Sequence, residues 1–146
     1  MTHHAALDFT NKDILTMQTL NFGSQDKMIK CPCCGLGQLS PGLHVVLEDV
    51  KRHFKGAAVT INSGARCWNH HVEIYKKLGK PPTLYSDHLM QGLNVSNGAD
   101  ITVEGYTPEA VYAYLSTVAY NNVLALGLYD WGVHLGLRGH KARWKL

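Results

Sequence analysis

Two histidines and an aspartate, far apart in the chain, each border an apolar, strand-like run, and this arrangement constrains the fold most. They are His88, Asp100 at the start of the run Ala99–Val103, and His134 inside Trp131–Leu135. Strands that end at loops can aim such side chains at one point. Two imidazoles and one carboxylate are typical of zinc hydrolases, which leave one coordination position open for water. Taken singly, each residue is more often a hydrogen-bonded structural group, so the prediction of a zinc site depends on all three converging.

Length and composition indicate one soluble domain. A chain of 146 residues can bury a core without metal or disulfide staples. The hydrophobic fraction of 45% and the charged fraction of 17% argue against disorder and against membrane spans. A net charge of +3 suits proximity to an anionic polymer, either a bacterial wall or a nucleic acid, without choosing between them. We expect residues 1–29 to form an N-terminal extension and residues 30–146 to form the domain.

The first residues carry no basic segment followed by an apolar stretch, so no secretory signal is visible. We therefore expect synthesis in a cytoplasm.

The succession of caps and apolar runs predicts an α+β domain with a small, mostly antiparallel sheet and helices packed on one side. Ser40 and Thr107 are suitable N-caps, and each is followed by a proline that the first helical turn tolerates. The predicted helices are a short one over Thr10–Leu20, one that starts after Ser40 and ends before Gly56, one over His70–Leu78 and one opened by Thr107. The predicted strands are Ala57–Asn62, Ala99–Val103, Asn122–Tyr129, Trp131–Leu135 and Ala142–Trp144.

The four cysteines, Cys31, Cys33, Cys34 and Cys67, admit three interpretations. Reduced structural thiols are favoured, and a structural zinc site is the second interpretation. A disulfide framework is disfavoured because no export signal is visible.

Several motifs, taken in order, resemble the zinc D-Ala-D-Ala carboxypeptidase superfamily. Its relatives include phage L-alanyl-D-glutamate endopeptidases, vancomycin-resistance dipeptidases and the zinc-bearing domain of hedgehog proteins. The likeness is greatest to the short peptidoglycan peptidases of bacteria and phages, and it covers residues 30–146. The blocks that carry it are Cys31–Gly35, Ser63–Cys67, Ser86–Ile101, and Val133–Arg138 followed by Ala142-Arg143-Trp144.

This resemblance implies a hedgehog/D,D-peptidase-like fold and a role for each motif residue. It makes His88, Asp100 and His134 the zinc ligands. It makes Arg66 the residue that holds a substrate carboxylate, because a guanidinium matches a carboxylate in two parallel hydrogen bonds. The alternative for Arg66 is a surface salt bridge. Ser86 would either bond to the substrate or brace the loop that carries His88, and its alternative is a simple turn cap.

Three positions depart from the family pattern. His88 and Asp100 lie twelve positions apart rather than the usual seven, so residues around Gln91–Ser96 look inserted. Gly136 replaces an aspartate two positions after the last histidine, which removes a group that orients a ligand or acts as an acid or base. Trp131 occupies the place of a general base. Asp130 is the nearest substitute, with a turn-forming aspartate as its alternative.

The sequence thus predicts a zinc-dependent peptidase that cleaves a peptidoglycan stem peptide, either at D-Ala-D-Ala or at L-Ala-D-Glu. We expect a monomer that acts on the cell wall, in phage lysis or wall remodelling, without nucleic-acid or membrane partners. One rival is a zinc-containing wall-binding module that has lost catalysis. The other is a small nucleic-acid-binding protein that uses the cysteines and the basic C-terminal residues.

Overall fold

A computed structural model of the chain describes Phe22 and residues 25–146. The helix expected over Thr10–Leu20 lies outside the described residues. None of the described helices is long and apolar enough to cross a membrane. The helices are α1 (Asp26–Ile29), α2 (Pro41–His53), α3 (Trp68–Leu78) and α4 (Pro108–Thr117), with a 3₁₀ turn at Asn121–Val123. The strands are β1 (Gln38–Leu39), β2 (Val59–Ser63), β3 (Val95–Ser96), β4 (Gly98–Val103), β5 (Leu124–Leu128), β6 (Val133–Leu137) and β7 (Ala142–Lys145).

The caps read from the sequence start two of the helices. The Ser40 hydroxyl accepts a hydrogen bond from the Leu43 amide before α2, and the Thr107 hydroxyl accepts one from the Ala110 amide before α4. Helix α3 begins two residues earlier than predicted because the Cys67 sulfur accepts the His70 amide and acts as its N-cap. Cysteine is not among the usual capping residues, so this boundary could not be recognised from local sequence.

Five strands form one mixed sheet in the order β2-β4-β6-β5-β7. All neighbouring pairs are antiparallel except β5 and β7, which are parallel. Strands β1 and β3 pair separately as a short parallel ladder. The prediction of an α+β domain with a mostly antiparallel sheet is confirmed.

The two faces of the sheet have different compositions. One face carries residues such as Ile61, Ile101, Leu126 and Leu135, which are completely buried in the hydrophobic core. Helices α2 and α4 cover this face and contribute the apolar stripe that contains Leu43, Val46, Leu47, Val50, Val111 and Leu115. Because side chains alternate along a strand, the residues between these positions point to the opposite face.

The opposite face carries one cross-strand row of polar and aromatic residues. Asp100 on β4 is paired with His134 on β6, His134 with Gly127 on β5, and Gly127 with Trp144 on β7. Helix α3 borders this face, since its residue Tyr75 lines a cleft together with Asp100 and His134. The expectation of helices packed on one side therefore holds for α2 and α4 but not for α3.

Part of the expected N-terminal extension belongs to the fold. Phe22 and Ile29 are buried in the core. The Gln25 side chain bonds to the backbone of Val59 and Ile61 on β2, the edge strand of the sheet. These contacts cover the outer edge of β2 and fix the segment that leads into the cysteine-rich loop.

Candidate metal centre

The structure brings His88, Asp100 and His134 together. One ligand atom from each lies within 4.8 Å of the others. The Asp100 carboxylate oxygen Oδ1 lies 3.3 Å from His88 Nε2 and 3.0 Å from His134 Nδ1. The pairing of β4 with β6 brings two of the three together, because Asp100 and His134 are cross-strand partners on one face. His88 comes from the loop between α3 and β3.

Each histidine is held by its other ring nitrogen. His88 Nδ1 lies 2.7 Å from the Gly64 carbonyl oxygen, which can only accept, so this nitrogen carries the proton. That bond leaves His88 Nε2 as the ring nitrogen that faces Asp100 and would bind a metal ion. His134 Nε2 lies 2.8 Å from the Asp87 carboxylate, which leaves Nδ1 facing the same point. A carbonyl or carboxylate behind each imidazole is the arrangement that orients histidine ligands of metals.

Asp87 was not among the residues that the sequence analysis selected. Its carboxylate bonds to His134 and also accepts two hydrogen bonds from the Arg138 guanidinium, at 3.1 and 3.0 Å. A β-carbon added at Gly136 would lie 2.2 Å from the Asp87 oxygen Oδ2. The space that a side chain at position 136 would use is therefore occupied by the Asp87 carboxylate. The loop residue Asp87 thus places a carboxylate where a side chain at position 136 would otherwise lie.

The electrostatics of the cluster favour a cation between its members. Burial opposes ionisation of Asp100, but hydrogen bonds from His134 and His88 outweigh burial and hold the pKa of this carboxyl well below its usual range. Burial would also lower the pKa of His134, but its bonds to Asp100 and Asp87 raise it. The Asp100 and Asp87 carboxylates thus favour the protonated form of His134. A metal ion at the same point would displace that proton from the ligand nitrogen.

Arg66 lies at the edge of this cluster and is held by hydrogen bonds that run through the buried His71. Its Nη1 donates to His71 Nδ1 at 3.2 Å. His71 is fully buried, and its Nε2 donates to the Thr83 carbonyl at 2.8 Å, which leaves Nδ1 as the acceptor. Among the described residues, no carboxylate lies close enough to Arg66 for an ion pair. The surface salt bridge considered as the alternative is therefore not formed within that part of the chain.

Ser86 braces the loop that carries His88. Its hydroxyl oxygen accepts the His88 amide at 3.3 Å and a long bond from Arg66 Nη1 at 3.5 Å. It also lines the cleft, so it both fixes the loop and faces the space next to Arg66.

The cluster lies in a cleft of about 290 Å³, lined by Arg66, Tyr75, Ser86, Asp87, His88, Asp100, Tyr129, His134, Arg138 and Trp144 among others. The Trp144 ring packs beside His134, with 5.2 Å between ring centroids. A β-carbon at Gly127 would lie 2.4 Å from the Trp144 ring, so only glycine leaves room for the indole. A second cavity of about 560 Å³ adjoins the cleft and shares Tyr85, Ser86, Asp87 and Arg138 with it.

The structure does not bring Asp130 to the cleft. Asp130 is exposed in the turn between β5 and β6 and is absent from the cleft lining, whereas its neighbour Tyr129 lines the cleft. Residues next to each other at a strand end point to opposite sides, which accounts for the difference. The carboxylates that line the cleft are Asp87 and Asp100.

The donor set fits a zinc ion. Zinc takes neutral imidazole nitrogens and a carboxylate oxygen as ligands in open, catalytic sites. The inward nitrogens of His88 and His134 and the Asp100 carboxylate supply these, and both histidines are 4% exposed. The separation of their ligand atoms leaves room for an ion among them.

Comparisons with protein-family models, with curated proteins and with solved structures found no match for this chain.

Proposed function

We propose that this chain is a zinc-dependent peptidase that hydrolyses an amide bond in the stem peptide of peptidoglycan, on a hedgehog/D,D-peptidase-like fold. The observation that carries the proposal is the convergence of His88, Asp100 and His134 in a cleft, with the outer nitrogen of each histidine held by a separate acceptor. A purely structural cluster has no need for an open side that faces a cleft. An enzyme that must admit a substrate does.

Different residues around the cluster orient the histidines and bind the substrate. His88, Asp100 and His134 would hold a zinc ion, which would act there as a Lewis acid toward water and the amide carbonyl. Asp87 and the Gly64 carbonyl fix the two imidazoles. Arg66, which has no carboxylate partner among the described residues, binds a carboxylate of the substrate through its planar fork.

The shape and charge of the surface suit an anionic peptide. The stem peptide of peptidoglycan carries free carboxylates close to its amide bonds, so one of them can pair with Arg66 while the neighbouring amide lies over the cluster. The adjoining cavity extends the cleft past Ser86 toward His140 and provides room for further residues of the peptide. Tyr85, which is 86% exposed at the rim shared by the two cavities, offers an aromatic face to the substrate backbone.

A second candidate function is a zinc-containing wall-binding module without catalysis. One observation favours it. The two carboxylates that line the cleft, Asp87 and Asp100, are both engaged by histidines, and Asp130 lies outside the cleft. A dedicated carboxylate base is therefore lacking among the described cleft residues, although zinc alone brings the pKa of bound water to about 7 in other enzymes.

Digestion of purified peptidoglycan separates the two functions. Zinc-loaded protein is incubated with sacculi, and the soluble products are identified by mass spectrometry. We expect one defined cleavage, either loss of a terminal D-alanine or release of a peptide that begins with D-glutamate. Wild-type protein that binds zinc and sacculi but releases no peptide would contradict the peptidase and support the binding module.

Three variants assign the residues in this assay. His88→Ala should abolish product release because it removes a ligand. Asp130→Asn, the matched change of an aspartate outside the cleft, should keep full activity, and its inactivity would restore Asp130 as the base. Arg66→Lys should keep zinc but lower kcat/KM by about tenfold to a hundredfold, since a charged, bidentate contact contributes roughly 1.5–3 kcal/mol.

A further inference from the structure

Three of the four cysteines form a second cluster, separate from the group of His88, Asp100 and His134. The sulfur atoms of Cys31, Cys34 and Cys67 lie within 4.8 Å of one another. None of the cysteines forms a disulfide. The Cys33 thiol is exposed on the same loop and interacts with the Cys67 side chain. Cys67 thus lies beside thiols of a loop that is more than thirty positions earlier in the sequence.

The loop Cys31–Leu36 has a backbone suited to presenting two thiols to one ion. The Cys31 amide donates to the Leu36 carbonyl at 2.8 Å, and the Gly35 amide donates to the Cys31 carbonyl at 2.8 Å. These bonds close a tight turn that puts Cys31 and Cys34 on the same side. Gly35 has φ +72° and open space around its α-carbon, so its backbone conformation, not crowding, calls for glycine. A C-x₂-C pair on such a turn is the spacing of structural zinc sites.

Backbone amides point at the sulfurs. The Cys67 amide donates to Cys31 Sγ at 3.4 Å, and the His70 amide donates to Cys67 Sγ at 3.4 Å. Cys67 is also the N-cap of α3, where the positive end of the helix dipole favours an anion. N–H donors and a helix N-terminus stabilise thiolates, which are the form that binds metals. Thiols that served only as small apolar core residues would not need these donors.

We propose that Cys31, Cys34 and Cys67 hold a structural zinc ion, with Cys33 at the fourth coordination position. Structural zinc is almost always four-coordinate and tetrahedral, and sulfur is its commonest ligand in such closed sites. A disulfide would use only two of the gathered thiols and leave the others beside it. Coordination of one zinc ion by four thiols gives a role to all four cysteines of the chain.

A zinc ion at this site would hold two segments of the chain together. It joins the loop after α1 to the start of α3, and Arg66 immediately precedes its ligand Cys67. Nearby, the Ala65 amide donates to the Ile29 carbonyl at 2.7 Å, and a β-carbon at Gly64 would lie 2.7 Å from that same oxygen. The ion would therefore fix the segment that presents both Arg66 and the Gly64 carbonyl that orients His88.

Metal analysis of four proteins tests this site separately from the histidine cluster. Wild type, Cys34→Ser, His88→Ala and the control His140→Ala are loaded with zinc, desalted and measured for zinc per chain. We expect two, one, one and two ions. Cys34 is exposed, so its serine variant should fold, and circular dichroism checks this for every protein.

Cobalt substitution identifies which ion remains in each variant. Cobalt-loaded His88→Ala should retain strong thiolate-to-cobalt charge-transfer absorption in the near ultraviolet, and Cys34→Ser should lose it. Undiminished zinc in folded Cys34→Ser, or no sulfur charge-transfer band in His88→Ala, would overturn the cysteine site. Intact-mass analysis showing a disulfide in the freshly purified, metal-loaded protein would also overturn it. Because His88→Ala lacks the proposed catalytic ion, these results do not depend on the peptidase proposal.

Discussion

At the scale of single residues, the pairing of Asp87 with Gly136 is the most specific feature of the site. The Asp87 carboxylate lies where a side chain on β6 would lie, between His134 and Arg138. A carboxylate that orients a metal-binding imidazole raises its basicity and holds its ring in place. The same task can thus be performed from the loop or from the strand, but not from both at once, since the two side chains would overlap.

This geometry predicts a rescue. Asp87→Ala should weaken zinc binding at the histidine cluster by about tenfold to a hundredfold, because the second partner of His134 is lost. Gly136→Asp in the same chain should restore much of that affinity by supplying a carboxylate from β6. Competition with a chromophoric chelator, in the Cys34→Ser background, measures the affinity of this one site.

The single variant Gly136→Asp provides the control for that rescue. With Asp87 present, the new side chain meets the existing carboxylate, so zinc affinity should fall rather than rise. Equal affinities in Asp87→Ala with and without Gly136→Asp would show that Asp87 does not act through His134.

The three candidate ligands and Arg66 could be predicted from the sequence because each belongs to a short motif. Asp87 was missed, although it stands directly before His88. Its function depends on Gly136, which is forty-nine positions away and adjacent only after folding. The role of His71 as the acceptor that positions Arg66 was also hidden, because a histidine at a helix start has many ordinary explanations.

At the scale of elements, helix α2 carries a buried histidine on its core face. His44 is completely buried beside Phe22, and neither ring nitrogen has a hydrogen-bond partner among the described residues. Burial lowers the pKa of His44 to about 4. A neutral imidazole is therefore required for α2 to pack against the sheet.

This burial predicts an acid-sensitive core. The pKa of a histidine in the unfolded chain is about 6.5, so below that pH the unfolded state binds a proton that the folded state resists. The free energy of unfolding should fall by up to about 3 kcal/mol as the pH drops from 6.5 to 4. In His44→Leu this part of the loss should disappear. Urea denaturation of both proteins in excess chelator measures it without interference from metal release.

A matched control lies on the same helix. His53 is exposed at the end of α2, so His53→Leu should leave the acid dependence of the free energy of unfolding as in wild type. If His44→Leu also kept the full dependence, His44 would not be the group that titrates.

The elements themselves were largely predictable where local chemistry decides them. Ser40 with Pro41 and Thr107 with Pro108 marked two helix starts correctly. The starts of β5 and β6 were each placed two residues too early, because the 3₁₀ turn before β5 and the bend at Trp131 depend on tertiary packing. The position of α3 beside the cleft follows from long-range contacts that no local pattern encodes.

At the scale of the whole molecule, one face of the sheet packs in the hydrophobic core and the other face carries the candidate site. Its core face is covered by α2 and α4, while the row Asp100, His134, Gly127 and Trp144 lies on the other face beside α3. Strands held rigid by the core position two of the candidate ligands, and a loop adds the third. The order of the strands, which makes Asp100 and His134 neighbours, came only from the fold.

The most direct test of the central claim is an anomalous difference map from crystals of the zinc-loaded protein, recorded at the zinc absorption edge. The account predicts a peak about 2.0–2.2 Å from His88 Nε2, His134 Nδ1 and an Asp100 carboxylate oxygen, with one side open to the cleft. A map that shows zinc elsewhere but no peak among these three side chains would contradict it.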